Sequence, residues 1–161
     1  MSELTEENIT IPDVPDGFLN MCQQLGLAIL LGQKTQFALA HYFAYFGIVN
    51  WGWGKSTVDK SIQKHLSRPM GAVIKDIEKR ANLPEDLMVK IKTFRDERNW
   101  LVHDFDEEST PFIRESEKVE EFGQRIFEIM GHSIEIDIEL GQIGKELERE
   151  NQARLADDEA R

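Results

Sequence analysis

Arg98, Asn99 and His103 lie within one short segment, and their side-chain types suit acid–base chemistry beside a phosphate. Arginine stays protonated and matches phosphate oxygens with a planar set of donors. Histidine has an unperturbed pKa of about 6.5, so it can take or give a proton near neutral pH. This segment is therefore the first candidate for a functional site.

Helical periodicity places Arg98 where a core residue is expected. We predict a helix from Glu85 towards Val102, because apolar residues recur there at helical spacing: Leu87, Ile91, Phe94, Leu101 and Val102. Arg98 falls in the middle of that stripe. Because a lone buried guanidinium is costly, the sequence predicts an acidic partner, a bound anion or a groove open to solvent.

The same geometry limits how Arg98 and His103 can cooperate. On a straight α-helix, at about 100° per residue, the two side chains point about 140° apart. They can face one ligand only if the helix ends or distorts between them, or if two subunits meet across a symmetric interface. An acidic loop, predicted over Asp104–Pro111, favours an end to the helix there.

The rest of the chain is predicted to form helices that position this segment. Apolar stripes predict a long first helix from Phe18 to about Ile48 and a long last one from Pro111 to about Arg149. Shorter helices are predicted at Val58–Leu66 and Val73–Arg80. The last helix carries a heptad in which only Ser133 is polar: Val119, Phe122, Ile126, Ile129, Ser133, Ile136, Leu140, Ile143 and Leu147. We therefore predict an all-α fold, an antiparallel helical bundle with two long helices and two or three shorter ones, in a dimer.

Length and composition favour one globular domain. The chain has 161 residues, of which 40% are hydrophobic and 30% charged, and a net charge of −11. We predict an acidic lead-in over 1–16 with Asp16 as helix N-cap, a single domain over 17–150 and a frayed charged tail over 151–161. No apolar run approaches the ~20 residues of a membrane span, and the acidic N-terminus is unlike a signal peptide, so we expect a cytoplasmic protein without membrane contact. Cys22 falls within the apolar pattern of the first helix, which predicts a buried thiol.

The segment Glu97–Phe105, with the sequence ERNWLVHDF, resembles the signature of the HEPN superfamily. That signature is an arginine followed a few residues later by a histidine, often with an asparagine directly after the arginine. The layout of two long helices, with the motif ahead of the last one, is also similar over roughly 18–147. The resemblance implies a metal-independent endoribonuclease without a cofactor, which cleaves RNA through the ribose 2′-hydroxyl as a homodimer and serves as a toxin or in defence.

The resemblance also implies roles for individual side chains. Arg98 would neutralise the scissile phosphate, and His103 would transfer a proton at the 2′-hydroxyl or at the leaving 5′-oxygen. Asn99 would orient one of these groups. Independently of the resemblance, Lys92 and Arg95 belong to a local basic stretch of the same predicted helix and are expected to bind RNA. The expected partners are RNA, a second copy of the chain, and a protein partner or antitoxin.

The chain departs from the family pattern in ways that keep a second hypothesis open. Many active members carry a tyrosine two residues after the histidine, whereas Phe105 stands there in this chain. Asp104 directly follows His103, where it would either hold the imidazole or repel a phosphate. A net charge of −11 also opposes RNA binding. The alternative is a catalytically inactive HEPN-like helical module for protein–protein interaction or ligand binding, in which Arg98 pairs with a buried acid.

Other candidate sites are weaker. Gly54-Lys55-Ser56 suggests a phosphate loop, but Val49 stands where that motif needs a glycine, and a helix precedes it instead of a strand. His132 lies near Glu128 and Glu135 in the sequence, a spacing more typical of a solvated helix face than of a metal site. No metal site is predicted.

Overall fold

A computed structural model describes residues 15–159 of the chain, which form helices joined by short connections. These residues contain no strand, so the prediction of an all-α fold is confirmed. In chain order the elements are α1 (Asp16–Trp51), α2 (Lys55–Leu66), α3 (Met70–Arg80), α4 (Glu85–Asn99), a π-helical turn (Trp100–Asp104), α5 (Phe105–Ser109), a 3-10 turn (Thr110–Phe112) and α6 (Ser116–Glu159).

The core lies largely along the contact between α1 and α6. The heptad of α6 faces α1, and most of its members are buried: Val119, Ile126, Ile129, Ser133, Ile136 and Leu140. The hydroxyl of Ser133 lies 2.7 Å from the buried hydroxyl of Thr35 on α1, and Thr35 also donates to the Asp137 carboxylate at 3.0 Å. Because a buried hydroxyl needs a partner, this contact explains how the heptad tolerates its one polar position.

The two long helices run in the same direction. Gly17, near the start of α1, lies against Val119, near the start of α6, and Thr35 lies against Ser133 further along both helices. The expectation of an antiparallel arrangement is therefore wrong for this pair. By contrast, α4 and α6 run in opposite directions, because Lys90 and Glu97 of α4 pair with Glu139 and His132 of α6 in reverse order.

Pairs elsewhere in the fold show the same alternation and explain the parallel pair. On α3 and α4, Glu78 pairs with Lys92 while Gly71 lies against Arg95, so these two helices are antiparallel. Between α1 and α6 the chain forms three short helices, α2, α3 and α4, and then the single-turn α5, which is not counted here. An odd number of alternating helices between them leaves the first and last pointing the same way.

Several local predictions need correction. The predicted acidic loop after His103 is helical, because the π-helical turn and α5 continue α4 through Ser109. The last helix begins at Ser116, after a 3-10 turn that contains Pro111. Cys22 is exposed and not buried, since it lies one residue away from the buried Met21 on a helix that rotates about 100° per residue.

The ends of the predicted domain are only partly covered by the structure. The lead-in over 1–16 lies outside the described residues except for Pro15 and Asp16, and Pro15, not Asp16, is the N-cap of α1. The described part of the predicted tail, 151–159, continues α6 as helix. Within the described residues, no helix combines the length and the apolar character needed to cross a membrane.

The end of α1 depends on a close approach between Gly47 and Trp53. Gly52 adopts φ 66°, in the left-handed region that favours glycine, and its N–H donates to the Gly47 carbonyl. The backbone N–H of Trp53 donates to the same carbonyl at 3.2 Å. The Trp53 ring then covers Gly47, and a Cβ placed on Gly47 would come within 2.5 Å of its Cδ2. The rings of Phe43 and Trp51 pack beside Trp53 at centroid distances of 5.9 and 5.0 Å.

Candidate functional site

Arg98 is half-buried on the face of α4 that turns towards α1. Its aliphatic stem packs on Gly32, where an added Cβ would lie 3.3 Å from Arg98 Cδ. The Nε atom is buried and has no hydrogen-bond partner. The predicted placement of Arg98 on the core-facing side of the helix is therefore confirmed. Its donors are not fully used by the protein.

No carboxylate in the described part of the chain forms an ion pair with Arg98. The adjacent acid, Glu97, pairs with His132 of α6 instead, with its Oε2 2.9 Å from Nδ1. His132 therefore belongs to a contact between α4 and α6, which its neighbours Glu128 and Glu135 in the sequence did not indicate. Of the three ways to compensate Arg98, the described residues do not supply the acidic partner. The charge of Arg98 is then compensated either by a bound anion or by solvent.

The helix distorts between Arg98 and His103, which meets the condition set by the sequence. Residues Trp100–Asp104 form a π-helical turn, in which hydrogen bonds close over five residues and not four. Such a turn holds more residues than an α-helical one, so it reduces the angle between side chains five apart. His103 lies on this turn and is exposed. Asn99, the residue directly before the turn, is exposed as well. Turns of this kind inside α-helices are frequent at functional sites.

Trp100 anchors the distorted turn to α5 and α6. Its indole N–H donates to Glu108 at 2.9 Å, and the Arg125 guanidinium lies 3.4 Å from the centre of a Trp100 ring. The rings of Phe105 and Phe122 also pack on it. Sequence reasoning missed this role of Trp100, since the partners come from two other helices. Phe105, which stands where many HEPN members carry tyrosine, is buried in this cluster.

The predicted RNA-binding residues Lys92 and Arg95 are each paired with an acid. Lys92 Nζ lies 2.5 Å from Glu78 of α3, and Arg95 lies 2.7 Å from its neighbour Asp96. Both pairs lie at the surface, where such contacts contribute little to stability, but they reduce the net positive charge available to RNA. Arg98 is thus the cation of this helix face whose charge is not offset by a described acid.

A second cluster of titratable groups, which sequence reasoning missed, joins α2 to α3. The buried His65 places Nδ1 2.7 Å from the Ser61 carbonyl and Nε2 3.2 Å from Asp76. Arg68 donates to the same Asp76 oxygen at 2.7 Å. Both imidazole contacts are satisfied when each ring nitrogen carries a hydrogen. Because His65 is enclosed, this cluster stabilises the fold and is not open to a substrate.

The charge on Asp76 couples this cluster to pH. Partial burial alone would raise the pKa of Asp76, but the hydrogen bonds and charges of Arg68 and His65 outweigh it and lower the pKa below its ordinary value. A carboxyl whose pKa is lower in the folded state stabilises the fold fully above its unfolded pKa, about 3.9. That stabilisation is lost as the pH falls through the folded pKa.

We expect Asp76→Asn to lower the free energy of unfolding by about 2 kcal/mol near pH 7, because the Arg68 guanidinium and the His65 imidazole lose an ionised acceptor. The difference from the original chain should shrink as the pH falls from about 4 to below the folded pKa. Urea unfolding at several pH values measures both effects. Asp59→Asn is the matched control, since Asp59 is an exposed aspartate of α2. A difference that stays constant across this range would contradict the assigned role of the Asp76 charge.

The candidate site thus consists of an unpaired guanidinium that packs towards α1 and an exposed imidazole five residues later on a distorted helix. Among the described residues, no group of three or more His, Cys, Asp or Glu side chains could hold a metal ion. Comparison of the chain with protein-family models, curated proteins and solved structures finds no match. A guanidinium and an imidazole together suit a phosphodiester, which needs charge neutralisation and proton transfer.

Proposed function

We propose that this chain is a metal-independent endoribonuclease of the HEPN type. The observation that supports the proposal is the half-buried Arg98 guanidinium, which has no acidic partner among the described residues and precedes an exposed histidine on a π-helical turn. An unpaired arginine in a core-facing position is costly unless a ligand anion or solvent compensates its charge. A phosphate is the anion that its planar donors match best.

The reaction that these groups suit is an internal transesterification of RNA. His103 accepts the proton of the 2′-hydroxyl while the 2′-oxygen forms a bond to the adjacent phosphorus. The bond from phosphorus to the 5′-oxygen breaks, and that oxygen takes up a proton as it leaves. Arg98 neutralises the phosphate charge that grows in the transition state, and Asn99 orients the phosphate or the hydroxyl. The products are a 2′,3′-cyclic phosphate and a 5′-hydroxyl.

A second copy of the chain would complete this chemistry. One imidazole cannot accept and donate a proton in the same step, so a homodimer that pairs two motifs would supply a base and an acid together. Val102, beside His103, is 46% exposed although the apolar stripe predicted it in the core. A dimer interface that covered Val102 would therefore contain His103 as well.

The proposal is tested by incubating the purified protein with RNA oligonucleotides in EDTA. We expect cleavage with 2′,3′-cyclic phosphate and 5′-hydroxyl ends, identified by mass spectrometry, because the mechanism needs no metal. DNA of the same sequence is the control and should stay intact, since it lacks the 2′-hydroxyl. Intact RNA across several structural classes, with a folded protein, would contradict the enzyme and favour the alternative function.

The alternative, a catalytically inactive module for protein–protein interaction or ligand binding, is favoured by one specific observation. Three large apolar side chains on one face of α6 are exposed: Phe127 at 58%, Ile134 at 47% and Ile138 at 57%. Large apolar side chains repeated along one helix face are typical of association surfaces. The toxin or defence role, the antitoxin partner and the cytoplasmic location stay predictions.

A further inference from the structure

A cavity of about 430 Å³ lies between α1, α2 and α6, away from the Arg98 segment. Its walls include Tyr45 and Ile48 of α1 with Val58 and Ile62 of α2. Gly141 and Gly144 of α6 also line it, and a Cβ added to either of them would meet no atom within 4 Å. The volume falls within the range of small-molecule sites, which are about 300–1,000 Å³.

The charged groups at this cavity are acidic. Asp137 and Glu148 of α6 line it together with His41 of α1, and no lysine or arginine does. The Asp137 carboxylate is half-buried and accepts one side-chain hydrogen bond, from Thr35 at 3.0 Å. It forms no ion pair with a described residue. An ionised carboxylate accepts several hydrogen bonds, so Asp137 has acceptor capacity that the protein does not use.

The pKa values of two groups at the cavity indicate that its negative charge is not neutralised by nearby cations. Burial raises the pKa of Asp137, and neither the Thr35 hydrogen bond nor the charge of Lys34 offsets that effect. Burial, followed by the negative charge of Glu148, raises the pKa of Tyr45. The Tyr45 phenol therefore lies in the negative field of the second carboxylate. Asp137 and Glu148 are eleven residues apart on α6, about 16 Å at 1.5 Å per residue, so the cavity has a carboxylate towards each end and a negative field that favours a cation.

We propose that this cavity binds a small organic cation, a primary amine with a compact apolar body, whose ammonium pairs with Asp137. The ammonium supplies the donors that the Asp137 carboxylate lacks. The apolar body packs against Ala38 and Leu140, which line the cavity one helical turn beyond the contact between Thr35 and Asp137, and there it leaves water. An anion of the same shape is repelled by Asp137 and Glu148, and a neutral analogue leaves the carboxylate without a counter-charge. The site is independent of the proposed ribonuclease activity.

Phenethylamine is a suitable probe, and its binding is measured by isothermal titration calorimetry against 2-phenylethanol and phenylacetate. We expect the amine to bind at least ~10-fold more tightly than the alcohol, and phenylacetate not to bind, because the three differ mainly in charge. Asp137→Asn should lower the affinity for the amine at least ~10-fold. Its amide oxygen can still accept from Thr35, so the fold is expected to persist.

A second variant keeps the test independent of Asp137. Gly141→Leu fills the open space of the cavity, and leucine favours helix more than glycine does, so this variant should fold and lose amine binding. Glu128→Gln, an exposed substitution on the same helix, is the matched control and should leave binding unchanged. Equal affinity for amine and alcohol, or amine binding that survives both Asp137→Asn and Gly141→Leu, would overturn the proposal. RNA cleavage measured on the same variants should be unaffected, which separates this test from that of the Arg98 segment.

Discussion

Replacing Arg98 with alanine is expected to lower the rate of RNA cleavage by about 100- to 1,000-fold, because the transition state loses the group that neutralises the phosphate. Single-turnover rates with a defined RNA oligonucleotide measure this effect. His103→Ala is expected to cause a loss of similar size, since general acid–base catalysis contributes about 10²- to 10⁴-fold. Arg98→Lys should recover only part of the rate, because an ammonium keeps the charge but not the planar pair of donors.

Arg95→Ala is the matched control for Arg98→Ala. Both arginines are on α4, but Arg95 pairs with Asp96, so its removal should change the rate less than the loss of Arg98. Unfolding measurements on Arg98→Ala separate function from structure. If Arg98 is catalytic, Arg98→Ala should lower the free energy of unfolding only slightly, because the Nε atom that it removes is buried without a hydrogen-bond partner. A large loss of stability with unchanged cleavage would contradict the site and favour a structural arginine.

Gly47→Ala is expected to lower the free energy of unfolding by about 3 kcal/mol, the largest stability effect that the structure predicts for a single methyl group. The added Cβ would overlap the Trp53 ring. Trp53 would have to leave its packing against Phe43 and Trp51, which would open the end of the core where α1 meets α2. Thermal or urea unfolding of the purified variant measures the change.

Gly26→Ala is the control for this substitution, because it makes the same change on the same helix. A Cβ on Gly26 meets no atom within 4 Å, so alanine should stabilise the helix by up to about 1 kcal/mol. The cost of Gly47→Ala should also fall when Trp53 is already alanine, because the clashing ring is then absent. Equal costs in the two backgrounds would show that the contact between Gly47 and Trp53 is not the cause.

The candidate site was accessible to sequence reasoning up to a definite point. Helical spacing places Arg98 on the core-facing side of its helix, because the residues four before and three after it share that face, and both Phe94 and Leu101 are buried. The sequence does not predict which acid, if any, pairs with the Arg98 guanidinium. Glu97 is the neighbour in sequence, yet it pairs with His132, 35 residues later. Pairing between distant residues depends on how helices pack, and local spacing does not encode it.

The sequence by itself determined the helical class, the buried faces of α1 and α6 and the position of Arg98, because these follow from the period of about 3.6 residues per turn. Only the tertiary structure decided three other features. It set the parallel direction of α1 and α6, which depends on how many helices separate them. It exposed Cys22, which lies just beside a buried face. It distorted the helix at Trp100–Asp104, where Trp100 is held by Glu108 and Arg125. The relation between Arg98 and His103 depends on that distortion, which the regular period of an α-helix does not predict.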